Sequence, residues 1–262
     1  MNQSHFEWTP EFWQGWRESP SPYRRYKSMR DRQLVLQALA PREGERVLEV
    51  GCGYGWISRA LWDAARMDWF GVDGSMEMIR SLSAIPHRNS SRTLVADARC
   101  LPFQDSQFDK VLCTGVLMHV AEDESAVREL ARVLRPGGVL VCSINNALSP
   151  YSLPVRLWNR RKKGFVQKFR RPASFRRLLR AESVLPDGMA GDGIIATVPL
   201  TFGPLHFPPE SAFRVIQKLD EWAANHLSWL AYEVWFRGVK TASPELAKDS
   251  RNRTRQLVES SS

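Results

Sequence analysis

The chain has 262 residues, 43% of them apolar, enough to bury a substantial core in one large domain with appendages. Its four cysteines, Cys52, Cys100, Cys113 and Cys142, form no CxxC pair and sit in or beside apolar runs. They offer neither a zinc site nor a disulfide framework and suit a reducing compartment.

The net charge of +9 is concentrated, with eleven basic residues and no acid between Arg156 and Arg180, so the remainder is slightly acidic. The opening MNQSHFEWTPEFW lacks a basic stretch followed by an apolar one. No run approaches the roughly 20 apolar residues that span a bilayer. A soluble, cytoplasmic protein is the expectation.

Residues 1–23 are rich in aromatics and proline without clear periodicity, which suggests a packed arm or lid. Met29, Leu34, Leu36 and Leu39 space a helix over Arg24–Ala40, ended by Pro41 and Gly44. Short apolar runs then alternate with helical segments. RVLEV (46–50) reads as a strand, Trp56–Arg66 as a helix, DWFGVD (68–73) as a second strand, and Ser75–Ser83 as a helix with Ser75 near its cap. RTLVAD (92–97) and FDKVLCTG (108–115) read as the third and fourth strands. Glu122–Leu134 is a helix stopped by Pro136-Gly137-Gly138, and GVLVCSIN (138–145) is the fifth strand. This alternation predicts parallel βαβ units in an open, doubly wound α/β sheet. Beyond residue 146, Ala173–Glu182 looks amphipathic and GIIATVPL (193–200) reads as a sixth strand. Pro209–His226 reads as a helix, Trp229–Val239 as a seventh strand, and 241–262 as a mobile polar tail.

Ligands in open α/β sheets bind beyond the carboxyl ends of the strands. Gly51, Gly53 and Gly55 follow the first strand and let the backbone turn tightly against a ligand. Asp73 ends the second strand, at the distance where a carboxylate reaches a ribose diol, and Asp97 ends the third, where it can accept from an adenine amino group. A nicotinamide dinucleotide would use the same loop, but its GxGxxG fingerprint needs a small residue where Trp56 stands. Glu49, just before the loop, suits an ammonium or sulfonium better than a pyrophosphate.

VLEVGCGYG, GVDGSMEMI, VADARCLPF, FDKVLCTGVLMHV and ELARVLRPGGVLV, in this order, resemble the successive motifs of class I S-adenosylmethionine (SAM)-dependent methyltransferases. They are especially similar to the broad group that includes the ubiquinone and menaquinone biosynthesis enzymes. The resemblance covers about residues 40–146. It implies a Rossmann-like seven-stranded sheet in the order 3-2-1-4-5-7-6, with the last strand antiparallel. The arrangement expected is an N-terminal arm and helix (1–40), a SAM-binding domain (41–240) with a basic substrate-cap insertion (147–190), and the tail (241–262). The resemblance also implies that Glu49 supports the SAM amino group and that Gly51, Cys52, Gly53 and Gly55 line the methionine moiety. Asp73 would bind the ribose hydroxyls, with Gly74, Ser75 and Met76 beside the adenine. Asp97 and Ala98 would face the adenine edge, and Thr114, Gly115 and Val116 would approach the methionyl end.

The sulfonium activates the methyl group, so a base is needed only when the acceptor atom must lose a proton. His119, just past the fourth strand, is the first candidate for that base, although a histidine there can equally be a cap or packing residue. His206, His226, Tyr23 and Tyr26 rank behind it. TGVLMHV lacks the Asn/Asp-Pro-Pro-aromatic motif associated with amino methylation of bases.

The basic segment 156–180, with Leu157, Trp158, Phe165, Val166, Phe169 and Phe175 among its charges, admits several partners. These are an anionic metabolite, a peripheral anionic membrane surface, or nucleic acid as the least favoured. It is also readable as a solvated helix pair with inward aromatics. The expected activity is methyl transfer to a small-molecule or lipid-like acceptor. The alternatives are a non-catalytic SAM-binding regulatory or assembly protein and an RNA methyltransferase.

Overall fold

The computed structural model describes residues 9–18, 21–85, 90–159, 167–193 and 210–242. Its frame is one seven-stranded sheet in the order β3-β2-β1-β4-β5-β7-β6. The strands are β1 (Arg46–Val50), β2 (Asp68–Asp73), β3 (Ser90–Val95), β4 (Phe108–Cys113), β5 (Leu134–Asn145), β6 (Val184–Asp192) and β7 (Glu233–Lys240). The first five are parallel, and β7 runs antiparallel to both β5 and β6. The central strands are near-continuous apolar runs because helices cover both faces.

Alternation along β1 divides the core in two. Leu48 and Val50 enter a cluster with Phe70, Phe108, Val111 and Leu130, on the face covered by α5 (Asp123–Val133) and α7 (Pro172–Ala181). Val47 enters the opposite cluster with Trp69, Leu112 and Trp235, under α2 (Pro22–Leu39), α3 (Ser58–Ala64) and α4 (Met76–Ser83). The same alternation turns Glu49 toward the α3 face. Two helices follow the sheet's later strands: α6 (Ser152–Asn159) and α8 (Glu210–His226).

The aromatic N-terminal stretch contains a real helix, α1 (Pro10–Arg17). Thr9 caps it by accepting from the Phe12 N–H, and Pro10 sits in its first turn, where a missing N–H costs nothing. Helix α2 closes on Ala40 in the left-handed conformation, φ 44°.

Two strands differ from expectation. β5 begins at Leu134 rather than Gly138: Leu134 pairs with Phe108, and the ladder then slips before Lys110 meets Val139. Pro136-Gly137-Gly138 therefore shapes a bulge inside the strand instead of the gap before it.

The larger difference is β6. It lies at Val184–Asp192, upstream of GIIATVPL, and residues 194–200 of that run fall outside the described residues. β6 carries Pro186 and Gly188, which read as strand breakers. As the outermost strand it pairs with β7 alone, and its register slips at those two residues, so proline removes no bond that matters. Among the described residues, no helix is long and apolar enough to cross a membrane.

Candidate cofactor and acceptor site

Three loops meet at the carboxyl ends of β1, β2 and β4. Gly51 takes φ +76°, and its N–H donates to the Val72 carbonyl at 2.7 Å. A Cβ at Gly51 would stand 2.0 Å from Val116 Cγ2, so the loop after β1 is packed directly on the loop after β4. At Gly53, φ +54°, a Cβ would meet nothing within 4 Å; the bare backbone faces open space. Such a cradle fits a ligand lying along the loop. Gly115 N–H donates to Ser143 Oγ at 3.0 Å, which anchors the Thr114–Val116 turn to β5.

Asp73 holds this arrangement together. Its two carboxylate oxygens accept from the N–H groups of Gly53 and Ser75, each at 2.9 Å. Burial raises its pKa, against the opposing hydrogen bonds from Ser75, Gly53 and Gly74. Ser75 in turn caps α4 by accepting from the Met78 N–H, and Gly74 and Met76 are exposed beside it. Ala96 N–H donates to the Asp73 carbonyl at 3.0 Å, which brings Asp97 and the buried Ala98 to the same rim. A carboxylate has about four acceptor positions, so Asp73 can still receive ribose hydroxyls.

Glu49 is buried, and its Oε2 accepts from Ser58 Oγ at 2.7 Å and Trp69 Nε1 at 3.2 Å. Burial outweighs these two bonds and pushes its pKa up to about 8. A buried carboxyl in that state needs a neighbouring cation to ionise at neutral pH. An ammonium or sulfonium ligand supplies one. Cys52 is buried beside Glu49 and Asp73, and burial lifts its thiol well above the ordinary range.

Asp97 is occupied by its own chain: Arg99 grips both its oxygens, with the shortest contact at 2.6 Å, and also bonds Glu122. The hydrogen bond from Arg99 lowers the Asp97 pKa. Trp56, whose bulk set this loop apart from a dinucleotide fingerprint, is a buried packing residue. Arg17 and Arg32 lie over its ring at 4.3 and 4.8 Å, and α2 side chains join it in the core.

His119 ends the 3₁₀ turn Leu117–His119 after β4, half-buried, with its N–H on the Val116 carbonyl. The strap 167–170 runs over that turn, since Lys168 N–H donates to the Met118 carbonyl at 2.7 Å. His226 is exposed on α8, its Nδ1 2.8 Å from the Trp222 carbonyl. Tyr26 is buried on α2, with its hydroxyl donating to Asp220 Oδ2 at 3.5 Å. Tyr23 also lies on α2; its side chain, His206 and residues 243–262 fall outside the described residues.

The basic segment is partly spent on internal pairing. Lys168 and Arg170 both bond the buried Asp123, and Arg170 also bonds Glu124 at 2.9 Å. Burial opposes the charge on Asp123, but these two cations hold its pKa below the ordinary value. Residues 160–166 fall outside the described residues.

One constellation has no counterpart among the sequence motifs. Lys27 of α2 crosses the carboxyl edge of the sheet and places Nζ 2.6 Å from Asp31, 2.5 Å from Asp192 and 2.9 Å from Glu233. Arg17 of α1 reaches Asp31 from the other side at 2.5 Å. Burial would strip the Lys27 charge, but Asp192, Asp31 and Glu233 outweigh it and hold its pKa well above the usual lysine value. The three carboxylates lie within 4.8 Å of one another in the manner of a metal-ligand set. The chain's own ammonium fills the position a cation would take. Lys27 and Asp31 form an i,i+4 pair visible in sequence, but Asp192 and Glu233 meet them only through the β6–β7 register.

Comparison with known proteins agrees with this geometry. Residues 48–142 match the family described as methyltransferase domain. The demethylmenaquinone methyltransferase of Renibacterium salmoninarum is 36% identical over 115 residues, 44% of this chain and 47% of that one. The 2-methyl-6-phytyl-1,4-hydroquinone methyltransferase of Synechocystis is 32% identical over 126 residues, 48% of this chain and 39% of that one. The chain thus spans less than half the length of either relative. The structure of a Synechocystis magnesium protoporphyrin IX methyltransferase with bound SAH superposes with a TM-score of 0.56. It is 17% identical, over 83% of this chain and 85% of that one, and shares the fold.

Proposed function

We propose that this chain, whose residues 48–142 form a methyltransferase domain of the class I SAM-dependent type, transfers the SAM methyl group to a small, lipid-like acceptor. The observation that carries the reading is the convergence of Gly51, Gly53, Asp73 and Val116, a bare-backbone cradle beside a carboxylate on a sheet of this topology. Glu49 is the counter-charge for the amino group, and Gly51, Cys52, Gly53 and Gly55 line the methionyl chain. Asp73 takes the ribose hydroxyls, Gly74 to Met76 and Asp97 with Ala98 flank the adenine, and Thr114 to Val116 border the sulfonium. SAM supplies an already activated methyl group, so the protein's work is alignment and exclusion of water.

The acceptor enters between the N-terminal helices, the carboxyl edge of β5–β7 and the 147–190 segment. His119, beside the Thr114–Val116 turn, is the candidate base for an acceptor hydroxyl. The names of the two relatives, both quinone or hydroquinone methyltransferases, support an acceptor of that chemistry. Four unpaired thiols favour a cytoplasmic setting.

Calorimetric titration with SAM and with NAD tests the cofactor. SAM binding without NAD binding is expected, and the reverse would overturn the reading. Labelled SAM with pools of quinols, phenols and fatty acids then tests the acceptor. His119→Ala is expected to lower kcat more than it changes SAM affinity if an acceptor hydroxyl is the nucleophile.

A further inference from the structure

Seven of the twelve large apolar side chains exposed among the described residues gather on two helices and the turns beside them. On α8, Val215, Leu219 and Trp222 are 59%, 50% and 56% exposed, at helical spacing along one face, and the Trp222 ring stacks on His226. On α6 and the turn before it, Leu148, Leu153 and Leu157 are exposed in the same way, as is Trp229 after α8.

The two helices approach each other through the segments beside them. Asn146, two residues before Leu148, donates through Nδ2 to the carbonyls of Trp229 at 2.7 Å and Ala231 at 2.9 Å. At the start of α6, Tyr151 lies near enough to Asp220 of α8 for that acid to help burial in raising its pKa.

Among the described residues, the exposed charges that accompany these side chains have one sign. Arg214 and Lys218 flank the α8 stripe and Arg156 flanks the α6 stripe, all exposed and unpaired among the described residues. The acids of α8 whose side chains are described do not face out with them. Asp220 is buried against Tyr26, and Glu221 is half-buried with Gln217 donating to it. Leucine, valine and tryptophan beside exposed arginine and lysine, without exposed acid, form the pattern that seats a helix in a bilayer interface.

We propose that α6 and α8 together form a docking surface for an anionic lipid bilayer. Their apolar side chains enter the headgroup boundary, and Arg156, Arg214 and Lys218 meet lipid phosphates. The surface is not the 167–180 basic stretch, two of whose cations are committed to Asp123. Because Asn146 follows β5 and Trp229 leads into β7, a bilayer at this surface lies against the edge of the sheet where the acceptor is expected.

The test is co-sedimentation of the full chain with vesicles of phosphatidylcholine, with and without phosphatidylglycerol, in the absence of SAM and acceptor. Failure of methyl transfer therefore leaves the result untouched. The wild-type chain is expected to bind the anionic vesicles and to be released by salt. The double variants Leu219→Ser/Trp222→Ser and Arg214→Glu/Lys218→Glu should each bind about tenfold more weakly or worse. These positions are exposed, so an unchanged thermal melt checks that the variants remain folded. No binding to anionic vesicles, or undiminished binding by both variants, would overturn the proposal. So would a wild-type dimer in light scattering that Leu219→Ser/Trp222→Ser converts to monomer, which would assign the face to a second copy.

Discussion

The two ends of the carboxyl edge are built on opposite principles. Over β1, β2 and β4 the site is made of backbone: glycines in tight turns, N–H groups on Asp73, and a loop seated on Val116. Over β6 and β7 it is made of buried charge, with one ammonium and one guanidinium from the N-terminal helices serving three carboxylates. A backbone cradle fixes geometry with little electrostatic cost. A buried ion cluster is stable only as a complete set. The first is therefore expected to fail by losing ligand and the second by losing the fold.

The sharpest break in this comparison is Lys27→Met. Removing the ammonium leaves two buried carboxylates and the half-buried Glu233 with Arg17 alone, and a loss of about 3–5 kcal/mol in denaturant unfolding is expected. SAM affinity measured well below the transition should change far less. Gly51→Ala is the converse. Its Cβ would overlap Val116 in a backbone conformation that alanine resists, so about 1–3 kcal/mol of SAM affinity should go, read by calorimetry.

Glu49 sharpens the contrast by pH. Its folded pKa of about 8 lies above the ordinary 4.5, so the fold binds a proton that the unfolded chain releases. Its stabilising contribution is complete below pH 4.5 and is lost as pH rises toward 8, at up to about 1.4 kcal/mol per pH unit. Glu49→Gln should flatten that slope in unfolding curves of the ligand-free protein. SAM binding near pH 7 should release protons, detected as a dependence of the calorimetric heat on the buffer. Arg99→Ala should have the smallest effect. The Asp97 pair is exposed, so the unfolding midpoint should stay where it is, with any loss appearing in SAM affinity.

The backbone half was legible in the sequence because each strand, its turn glycine and its terminal acid lie within a dozen residues. The strand order 3-2-1-4-5-7-6 came from the resemblance to class I methyltransferases, since the local patterns give only parallel βαβ units. What escaped were features set by distant partners. Lys27 lies 206 residues from Glu233, and nothing local marks either as buried. The sequence points to 193–200 rather than Val184–Asp192 for β6 because Pro186 and Gly188 speak against a strand wherever edge position is unknown. Pro136-Gly137-Gly138 looked like a terminator because a bulge and a break share the same residues. Glu49 was found, but Trp69 and Ser58 as its partners depend on the α3 and β2 packing, which periodicity does not reveal.

Arg17 belongs to both halves. Its guanidinium lies over Trp56, the residue that follows the glycine loop, and pairs with Asp31 in the Lys27 cluster. The helix carrying it joins the proposed cofactor loop to the ion cluster, and any linkage through it is reciprocal. Whatever factor an acceptor at the β6–β7 edge imposes on SAM affinity by shifting Arg17, SAM imposes on the acceptor in equal measure.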